Sequence, residues 1–282
     1  MPDLPRISII TPSYNQAQFL EETIRSVLDQ GYPNLEYMIF DGDSQDQSVE
    51  IIQKYADKLA YWVSERDRGQ SHAINKGFAR CTGEIIAWLN SDDCYVPGAL
   101  AFAADTCARH PEVDLFYGDA EIIDASGKFI MHRKELPADP LMGNLIGWGL
   151  LIPQPAAFFR RRALEQAGYL DESLRYCLDA EFWGRISAHG TIRHVPRLLA
   201  RQRYHSQAKT IKEMTVLKQY DDEVERVHRQ DYHRLPISRW LPYRYAPLLR
   251  RVYRLKRIFL RFVRGHYFCG YIPDSVLRKR QF

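Results

Sequence analysis

One stretch constrains the fold more than any other, an apolar run that ends in two adjacent carboxylates: EIIAWLNSDD at residues 84–93. Residues 84–89 are mostly apolar and contain neither glycine nor proline, a pattern typical of a buried strand. Ligands of open α/β sheets bind beyond the carboxyl ends of the strands. Asp92 and Asp93 are therefore a candidate seat for a hard divalent cation, although a turn that caps the next helix would use the same residue types.

Strands and helices alternate on the amino-terminal side of this stretch. Strands are predicted at residues 6–12, 35–40 and 60–64, and each is followed by apolar residues at helical spacing. This alternation predicts right-handed βαβ units and a parallel sheet. A pair of antiparallel strands is predicted later in the chain, at residues 114–124 and 128–132, around the tight turn at Ser126 and Gly127.

The loops that follow the predicted parallel strands are polar, and each carries a carboxylate or a hydroxyl group. Such loops suit a nucleotide, whose base and ribose need polar contacts and whose diphosphate needs a counter-charge. The chain has no GxGxxG after its first strand and no GxxxxGK[ST]. The main sequence signals of the dinucleotide-binding fold and of the P-loop are therefore missing. A cation held by Asp92 and Asp93 would supply the missing counter-charge.

The composition is that of a globular protein, with 45% hydrophobic and 26% charged residues in a chain of 282. We expect no spanning helix, because no run of 18 apolar residues occurs, and no signal peptide, because no basic segment precedes an apolar core. The five cysteines are scattered and form no CxxC pair, which is typical of a reducing compartment. These features predict a cytoplasmic protein.

The basic charge is concentrated in the tail. Residues 212–282 hold 17 Lys and Arg against 7 Asp and Glu, a balance of +10, whereas residues 1–211 have a balance of −6. The sequence therefore predicts an α/β domain over residues 1–211 and a basic helical extension over residues 212–282. Such an asymmetry points to an anionic partner for the extension.

Residues 239–264 carry nine Lys and Arg and no acid, with apolar residues at spacings of three and four. This pattern is typical of a basic amphipathic helix that lies on an anionic membrane surface. Trp240, Tyr253, Phe259 and Phe262 are the aromatic residues expected to insert. The alternative is a helix whose apolar stripe packs on its own domain or on a second subunit, as in a homodimer. Nothing in the first domain supports a nucleic-acid partner.

Five motifs, in order, resemble those of family 2 glycosyltransferases. They are TPSYN at 11–15, FDGDSQDQS at 40–48, SERDRGQSHAINKGF at 64–78, TGEIIAWLNSDD at 82–93 and YCLDAEFWGRI at 176–186. The resemblance covers about residues 6–210 and implies the GT-A fold, a mostly parallel Rossmann-like α/β sheet flanked by helices. It also implies inverting transfer of a sugar from a nucleotide-diphosphate sugar, with a UDP-sugar favoured, to a hydroxyl of a glycan or lipid-linked acceptor. The implied cofactor is Mg²⁺ or Mn²⁺, and the implied role is surface polysaccharide synthesis, beside the inner face of the membrane.

The resemblance also implies roles for single residues. It assigns the catalytic base to Asp179, metal ligation to Asp92, Asp93 and His205, and an acceptor-side position to Gln154. The nucleotide-binding residues that it implies are Thr11, Pro12, Tyr14, Asp41, Arg68 and Asp92. Arg203 and Lys209 are candidate phosphate contacts, whereas Arg160, Arg161 and Arg162 are expected to form a solvated face.

The chain departs from the family pattern at four positions. Gly42 stands where many members have a second Asp, Asn90 holds the first position of the Asp-x-Asp motif, and Leu178 replaces a Glu before the base. His72 stands where similar proteins often carry Asp. Asn90 and Leu178 leave open a second reading, a catalytically inactive nucleotide- or sugar-binding module of the same fold. The three carboxylates Asp92, Asp93 and Asp179 argue for the enzyme.

Overall fold

The centre of the protein is a nine-stranded mixed sheet flanked by helices. The computed structural model describes residues 4–137, 152–206, 208, 217–234, 238 and 240–264. The strands are β1 Ile7–Ser13, β2 Leu35–Asp41, β3 Tyr61–Ser64, β4 Ile85–Trp88, β5 Cys94–Tyr95, β6 Leu115–Ile123, β7 Phe129–Arg133, β8 Ala157–Arg160 and β9 Ile192–Arg203. The helices are α1 Ala17–Leu28, α2 Ser48–Lys54, α3 Gln70–Arg80, α4 Ala99–Arg109, α5 Arg161–Ala167, α6 Leu178–His189, α7 Leu217–Arg234 and α8 Ala246–Val263.

The strand order is β3-β2-β1-β4-β8-β6-β9-β5, with β7 beside β6. The first four strands are parallel, and β6 and β7 are antiparallel, so both predicted patterns are confirmed. β8 runs antiparallel to both β4 and β6. Because β9 is parallel to β6, it points in the same direction as β4. The carboxyl ends of β1, β2, β3, β4 and β9 therefore meet at one edge of the sheet.

Each face of the sheet is covered by an apolar layer. On one side, α1 and α4 bury Leu20, Ile24 and Leu100 against the strands. On the other side, α3 and α6 build an aromatic cluster around Phe182, whose ring lies 5.4 Å from that of Phe159 between centroids. The predicted face of α6 is confirmed, because Leu178, Phe182 and Ile186 are all buried.

The arginine triplet at residues 160–162 ties the ends of helices to the sheet. Arg160 donates to the carbonyls of Cys107 and His110 at the end of α4, and Arg161 donates to those of Cys81 and Gly83 after α3. The carboxyl ends of helices leave carbonyls unpaired and carry partial negative charge, which favours guanidinium groups. The expectation of a simple solvated face was therefore wrong for Arg160 and Arg161.

Helix α7 packs on α6 through two carboxylates. Glu223 accepts hydrogen bonds from the backbone N–H groups of Arg175 and Tyr176 at 2.9 Å and of Cys177 at 3.3 Å, directly before α6. Asp231 lies against Gly184, where an added Cβ would come within 2.5 Å of its Oδ1 atom. Only glycine leaves room for this approach. Helix α7 thus completes the amino-terminal end of α6, while the division at residue 211 stays a prediction.

Helix α8 contacts the sheet through arginines. Arg261 Nη2 lies 3.3 Å and Arg257 Nη2 3.6 Å from the Oε2 atom of Glu135, which follows β7 and is buried. Burial raises the pKa of Glu135, and the guanidinium groups of Arg133, Arg261 and Arg257 oppose that shift. Within the residues described above, no helix has the length and apolarity needed to cross a bilayer.

Replacing Phe182 by alanine tests the aromatic layer. Phe182 is fully buried among the rings of Phe78, Phe159 and Trp183, so Phe182→Ala should lower the free energy of unfolding by about 3–5 kcal/mol. The matched control is Phe129→Ala, because the Phe129 ring is exposed and its loss should cost under about 1 kcal/mol. Denaturant unfolding of both variants measures the difference, and equal losses would contradict the assignment of this core.

Replacing Glu223 by alanine tests the attachment of α7. The change leaves three N–H groups before α6 without their acceptor, so Glu223→Ala should cost about 1–2 kcal/mol of stability, as loss of a helix cap does. Asp222→Ala is the control, because Asp222 is an exposed neighbour on the same helix. Thermal unfolding measures both variants. An equal loss of stability in the two would contradict the role of Glu223 in attaching α7 to α6.

Candidate active site

The parallel strands bring five loops together at the carboxyl edge of the sheet. The loops that follow β1, β2, β3 and β4 meet there, and the end of β9 joins them because β9 points the same way. This edge is where open α/β sheets bind ligands. The predicted site residues on these loops are therefore neighbours in the fold.

Asp92 and His205 form the centre of this edge. His205 Nε2 lies 3.0 Å from Asp92 Oδ2, although the two residues are 113 positions apart in the chain. The imidazole ring packs on Phe19 of α1 at a centroid distance of 4.5 Å and is buried. The Asp92 side chain keeps partial exposure. The partly exposed carboxylate of Asp92 thus stands beside the buried imidazole of His205.

Asp93 points the other way, into the protein. Its Oδ1 accepts a hydrogen bond from the backbone N–H of Arg203 at 2.9 Å, and its Oδ2 accepts one from Asn90 Nδ2 at 3.3 Å. Its backbone carbonyl accepts from the Thr23 hydroxyl at 2.8 Å. Burial and the neighbouring Asp92 carboxylate raise the pKa of Asp93 well above its usual range, and the bonds from Arg203 and Asn90 oppose that shift. Asp93 therefore fastens β4 to β9 and α1.

The predicted metal trio of Asp92, Asp93 and His205 is not assembled. In the part of the chain that the structure describes, no group of three or more His, Cys, Asp or Glu side chains is placed to hold a metal. The reason is the orientation of Asp93, whose two oxygens are used inside the fold. Asp92 and His205 are left as two adjacent donors, one oxygen and one nitrogen. Mg²⁺ and Mn²⁺ accept such partial sets and complete them with water and phosphate oxygens.

Arg203 is a structural residue rather than a phosphate contact. Its guanidinium is buried and donates to the backbone carbonyls of Asp92 and Asp124 and, through Nη2, to the carboxylate of Glu22 at 2.5 Å. It also lies over the Phe19 ring. Because its donors are bound inside the protein, the hypothesis of a phosphate contact is wrong for Arg203. Lys209, the other candidate, lies outside the described residues.

The predicted nucleoside residues differ in how accessible they are. Thr11 and Pro12 are buried, and the Thr11 hydroxyl lies 3.1 Å from the Tyr37 hydroxyl. Tyr14 is exposed at the edge of the sheet. Asp41 is buried, and its carboxylate accepts from Ser44 and from the Ser64 hydroxyl. Asp41 thus joins the ends of β2 and β3, and its oxygens already have donors.

A second carboxylate, that of Asp67, lies beside Gly42, the residue after Asp41, and was not predicted as a site residue from the sequence. A Cβ added at Gly42 would come within 2.8 Å of Asp67 Oδ2 and 3.3 Å of the Tyr14 ring. The carboxylate of Asp67 therefore stands next to the place where many relatives carry a second Asp. The signal was present in the sequence, because Asp67 follows β3 at the same sheet edge as Asp41.

Arg68 and His72 lie on the loop between β3 and α3. The Arg68 guanidinium forms an exposed ion pair with Glu172 at 2.6 Å, and its backbone N–H donates to His72 Nδ1. Glu172 also accepts from Asn75 on α3. The pair connects the loop after β3 with the segment that leads into α6. Arg68 is therefore at the site edge but engaged with a carboxylate.

Gln154 supports the loop after β4 through an amide network. Its Oε1 accepts from Asn90 Nδ2 at 3.0 Å, and its Nε2 donates to the Trp88 carbonyl at 2.7 Å. Gln70, at the start of α3, donates to Asn90 Oδ1 at 2.8 Å. Asn90, which departs from the family pattern, is thus held by an amide on each side. Gln154 thus contacts Asn90, and Asp92 follows Asn90 by two residues in the chain.

Asp179 lies in the first turn of α6, which starts near the same edge. Trp183, one turn later on the same face, stacks on Trp88 at the end of β4 with centroids 5.0 Å apart. The loop before α6 also contacts the start of α3, where the Ser71 hydroxyl lies 3.5 Å from the Leu174 carbonyl. Asp179 is partly exposed, and its Oδ1 accepts from the N–H of Ala180. The first turn of α6, with the partly exposed Asp179, thus lies on a helix that packs on the end of β4, the strand that leads to Asp92.

Two curated proteins show what the chain is similar to in sequence. An uncharacterized glycosyltransferase of Rickettsia prowazekii is 28% identical over 230 residues, which are 77% of this chain and 70% of the relative. The chondroitin synthase of Escherichia coli is 25% identical over 247 residues, and the match spans 87% of this chain but 35% of that protein.

Two solved structures share the fold. S. aureus TarS 1-349, in complex with UDP-GlcNAc, superposes with a TM-score of 0.60 at 18% identity and covers 86% of this chain and 78% of that one. The mannosyltransferase PcManGT of Pyrobaculum calidifontis, in complex with GDP-Man and Mn²⁺, gives a TM-score of 0.61 at 19% identity and covers 99% of this chain and 84% of the other. The expected GT-A architecture is thereby confirmed.

The model of the family described as glycosyl transferase family 2 matches residues 8–168. This span includes β1 to β4 with their loops, the Asp92 position and Gln154. The chain therefore belongs to glycosyl transferase family 2.

Proposed function

We propose that the protein transfers a sugar from a nucleotide-diphosphate sugar, with a UDP-sugar as the favoured donor, to a hydroxyl of a glycan or lipid-linked acceptor with inversion. The observation that carries this proposal is the pairing of Asp92 with His205, 3.0 Å apart, at the edge where the parallel strands end. A diphosphate bound there needs a counter-charge, and the chain has no glycine-rich phosphate loop to supply one.

The donor set at this position fits a divalent cation. The Asp92 carboxylate suits Mg²⁺ or Mn²⁺, and the His205 imidazole adds a nitrogen ligand of the kind that transition-metal ions accept, which favours Mn²⁺ of the two. A bound cation would neutralise the charge that develops on the leaving diphosphate. The Mn²⁺ in the PcManGT complex supports this reading by analogy of fold.

The nucleoside would lie over the ends of β1 and β2. Tyr14 is the exposed aromatic residue there, and Gly42, which follows Asp41, lies against the Asp67 carboxylate and the Tyr14 ring. Asp41 is buried and accepts three hydrogen bonds from Ser44 and Ser64, whereas Asp67 is partly exposed and accepts one from the Gly69 N–H, so Asp67 is the more accessible carboxylate for a base or ribose hydroxyl. Arg68 is paired with Glu172, so this ion pair would have to open before Arg68 could bind a phosphate of the donor.

Asp179 is the proposed general base. The acceptor oxygen would attack the anomeric carbon while its proton moves to the Asp179 carboxylate. The bond from the anomeric carbon to the diphosphate oxygen would break, and the electron pair would leave with the diphosphate. Attack from the face opposite the leaving group inverts the anomeric configuration. One base of this kind contributes about 10²–10⁴-fold in rate.

The biological role we propose is synthesis of a surface polysaccharide. Relatives named for polysaccharide synthesis support it, among them the chondroitin synthase, although this chain spans 35% of that enzyme. The alternative is a module that binds the donor and catalyses no transfer. It predicts no turnover by the wild type, so the experiment that tests Asp179 also tests this alternative.

Asp179→Asn separates binding from chemistry. The variant keeps the shape of the side chain and removes the proton acceptor, so release of nucleoside diphosphate should fall by at least about 100-fold. Donor affinity for UDP-GlcNAc and GDP-Man should stay within about threefold, because the base touches the acceptor hydroxyl. Release is measured with a bacterial membrane extract as the acceptor source, and affinity by calorimetry.

Asp222→Asn is the matched control, since it makes the same change at an exposed position of α7. Turnover of Asp179→Asn at the rate of the wild type would remove Asp179 from the mechanism. A wild-type protein that binds a donor but releases no diphosphate with any acceptor extract would favour the binding module and contradict the transferase.

A further inference from the structure

Helix α8 is amphipathic in the reverse sense to an ordinary surface helix. The sector that faces the domain holds Tyr253, Arg257 and Arg261, all with little exposure. The sector that faces outward is apolar. A helix of a globular protein normally turns its apolar stripe to the core and its charges to water. The reversal means that the apolar side chains of α8 are largely exposed to solvent.

The inward sector is held by charge rather than by an apolar core. Arg257 and Arg261, one turn apart, both reach Oε2 of the buried Glu135, which Arg133 also contacts at 3.1 Å. Removing one partner of such a buried group leaves uncompensated charge and is strongly destabilising. The helix is therefore fixed in one rotational setting, and this setting turns the stripe outward.

The outward sector is broad and continuous. Its exposed apolar side chains are Leu248, Val252, Leu255, Ile258, Phe259, Phe262 and Val263, and between 49% and 64% of each is exposed. At about 100° per residue these positions fill an arc of about 140° on one side of the helix. Contiguous apolar patches of this kind mark interaction sites.

Basic side chains border the stripe. At about 100° per residue Arg251 falls near one edge of the arc, between Ile258 and Phe262, and Lys256 falls just beyond the other edge; both are exposed. Trp240, just before the helix, is 87% exposed. No acidic residue occurs between residues 239 and 264. The surface is thus apolar in the middle, cationic at its rim and aromatic at one end.

We propose that this outward face of α8 docks the protein on the surface of a lipid bilayer that contains anionic phospholipid. The apolar arc would enter the boundary between headgroups and acyl chains, while Arg251 and Lys256 at its edges would contact the headgroups. Trp240 has the amphipathic ring that is favoured at this depth. This inference goes beyond the proposed sugar transfer and does not depend on it.

Charge favours a bilayer over a second copy of the chain. A twofold interface on this face would bring the basic edges of two copies together, with no acid on either helix to neutralise them. An anionic surface meets the same groups with opposite charge. The basic rim is therefore complementary to lipid headgroups and unfavourable for self-association.

The structure also corrects part of the sequence expectation for this helix. If the stripe packed on its own domain, Leu255, Ile258 and Phe262 would be buried, yet all three are exposed. Tyr253, expected among the inserting aromatics, is buried against the domain and cannot insert. Phe259 and Phe262 keep the outward position that insertion requires.

Co-sedimentation of the full chain with vesicles tests the proposal. The probes are vesicles of phosphatidylcholine alone and vesicles with about 30% phosphatidylglycerol. We expect binding to the anionic vesicles at low salt to exceed binding to the neutral ones by about tenfold or more, and to weaken in about 0.5 M salt because screening shortens the reach of exposed charges.

Three variants divide the surface into its parts. Leu255→Ser with Phe259→Ser should reduce binding to anionic vesicles by about tenfold or more, because the centre of the stripe is lost. Arg251→Glu with Lys256→Glu should remove the preference for anionic vesicles. Phe129→Ser, which changes an exposed aromatic residue of β7 that is not part of α8, should bind as the wild type does. All four side chains on α8 are exposed, so thermal midpoints should stay close to that of the wild type.

Three results would overturn the proposal. The first is no sedimentation with anionic vesicles at low salt, which would mean that the face is covered in solution. The second is unchanged binding by the Leu255→Ser and Phe259→Ser variant. The third is a dimer in light scattering that this same variant dissociates, which would assign the face to a second copy.

Discussion

The carboxylate of Asp93 is the contact on which the site depends. The carboxylate is buried where β4, β9 and α1 meet, and it accepts hydrogen bonds from the backbone N–H of Arg203 and the side-chain amide of Asn90. The backbone carbonyl of Asp93 accepts a further hydrogen bond from the Thr23 hydroxyl. A buried carboxylate is tolerated only when donors surround it. Because the side chain and the backbone of Asp93 together bond β9, the loop after β4 and α1, Asp93 fixes the positions of these elements. The exposed neighbour Asp92 and the ring of His205 then meet as a consequence of that arrangement.

Two further carboxylates attach the carboxyl-terminal helices in the same manner. Glu223 of α7 accepts the N–H groups that precede α6, the helix that begins with Leu178 and the candidate base. Glu135 forms ion pairs with Arg257 and Arg261 of α8, and this pairing orients the apolar stripe of the helix outward. Helices α7 and α8 are thus each joined to the rest of the structure through a carboxylate. One of these contacts supports the site, and the other determines what α8 offers to a partner.

Local patterns in the sequence predicted the elements and the edge of the sheet that carries the site. Alternating strand and helix signals are local, so β1 to β4 and the loop with Asp92 could be placed. The sequence did not predict that Asp93 points into the fold while Asp92 stays partly exposed, because the orientation of Asp93 depends on Arg203, 110 positions away. The stripe of α8 was visible in its spacing, yet its outward direction depends on Glu135, 126 positions from Arg261. Side-chain orientation that is decided by distant partners leaves no local signal.

The most direct test of this account is the effect of Mn²⁺ on UDP binding in single carboxylate variants, measured by calorimetry. Mn²⁺ should strengthen UDP binding to the wild type by at least about tenfold, and Asp92→Asn should lose this gain without a change in thermal midpoint. Asp93→Asn should instead lower stability by about 1–3 kcal/mol, because an amide cannot accept both internal bonds. An Asp92→Asn variant that keeps the full gain from Mn²⁺ would contradict the account.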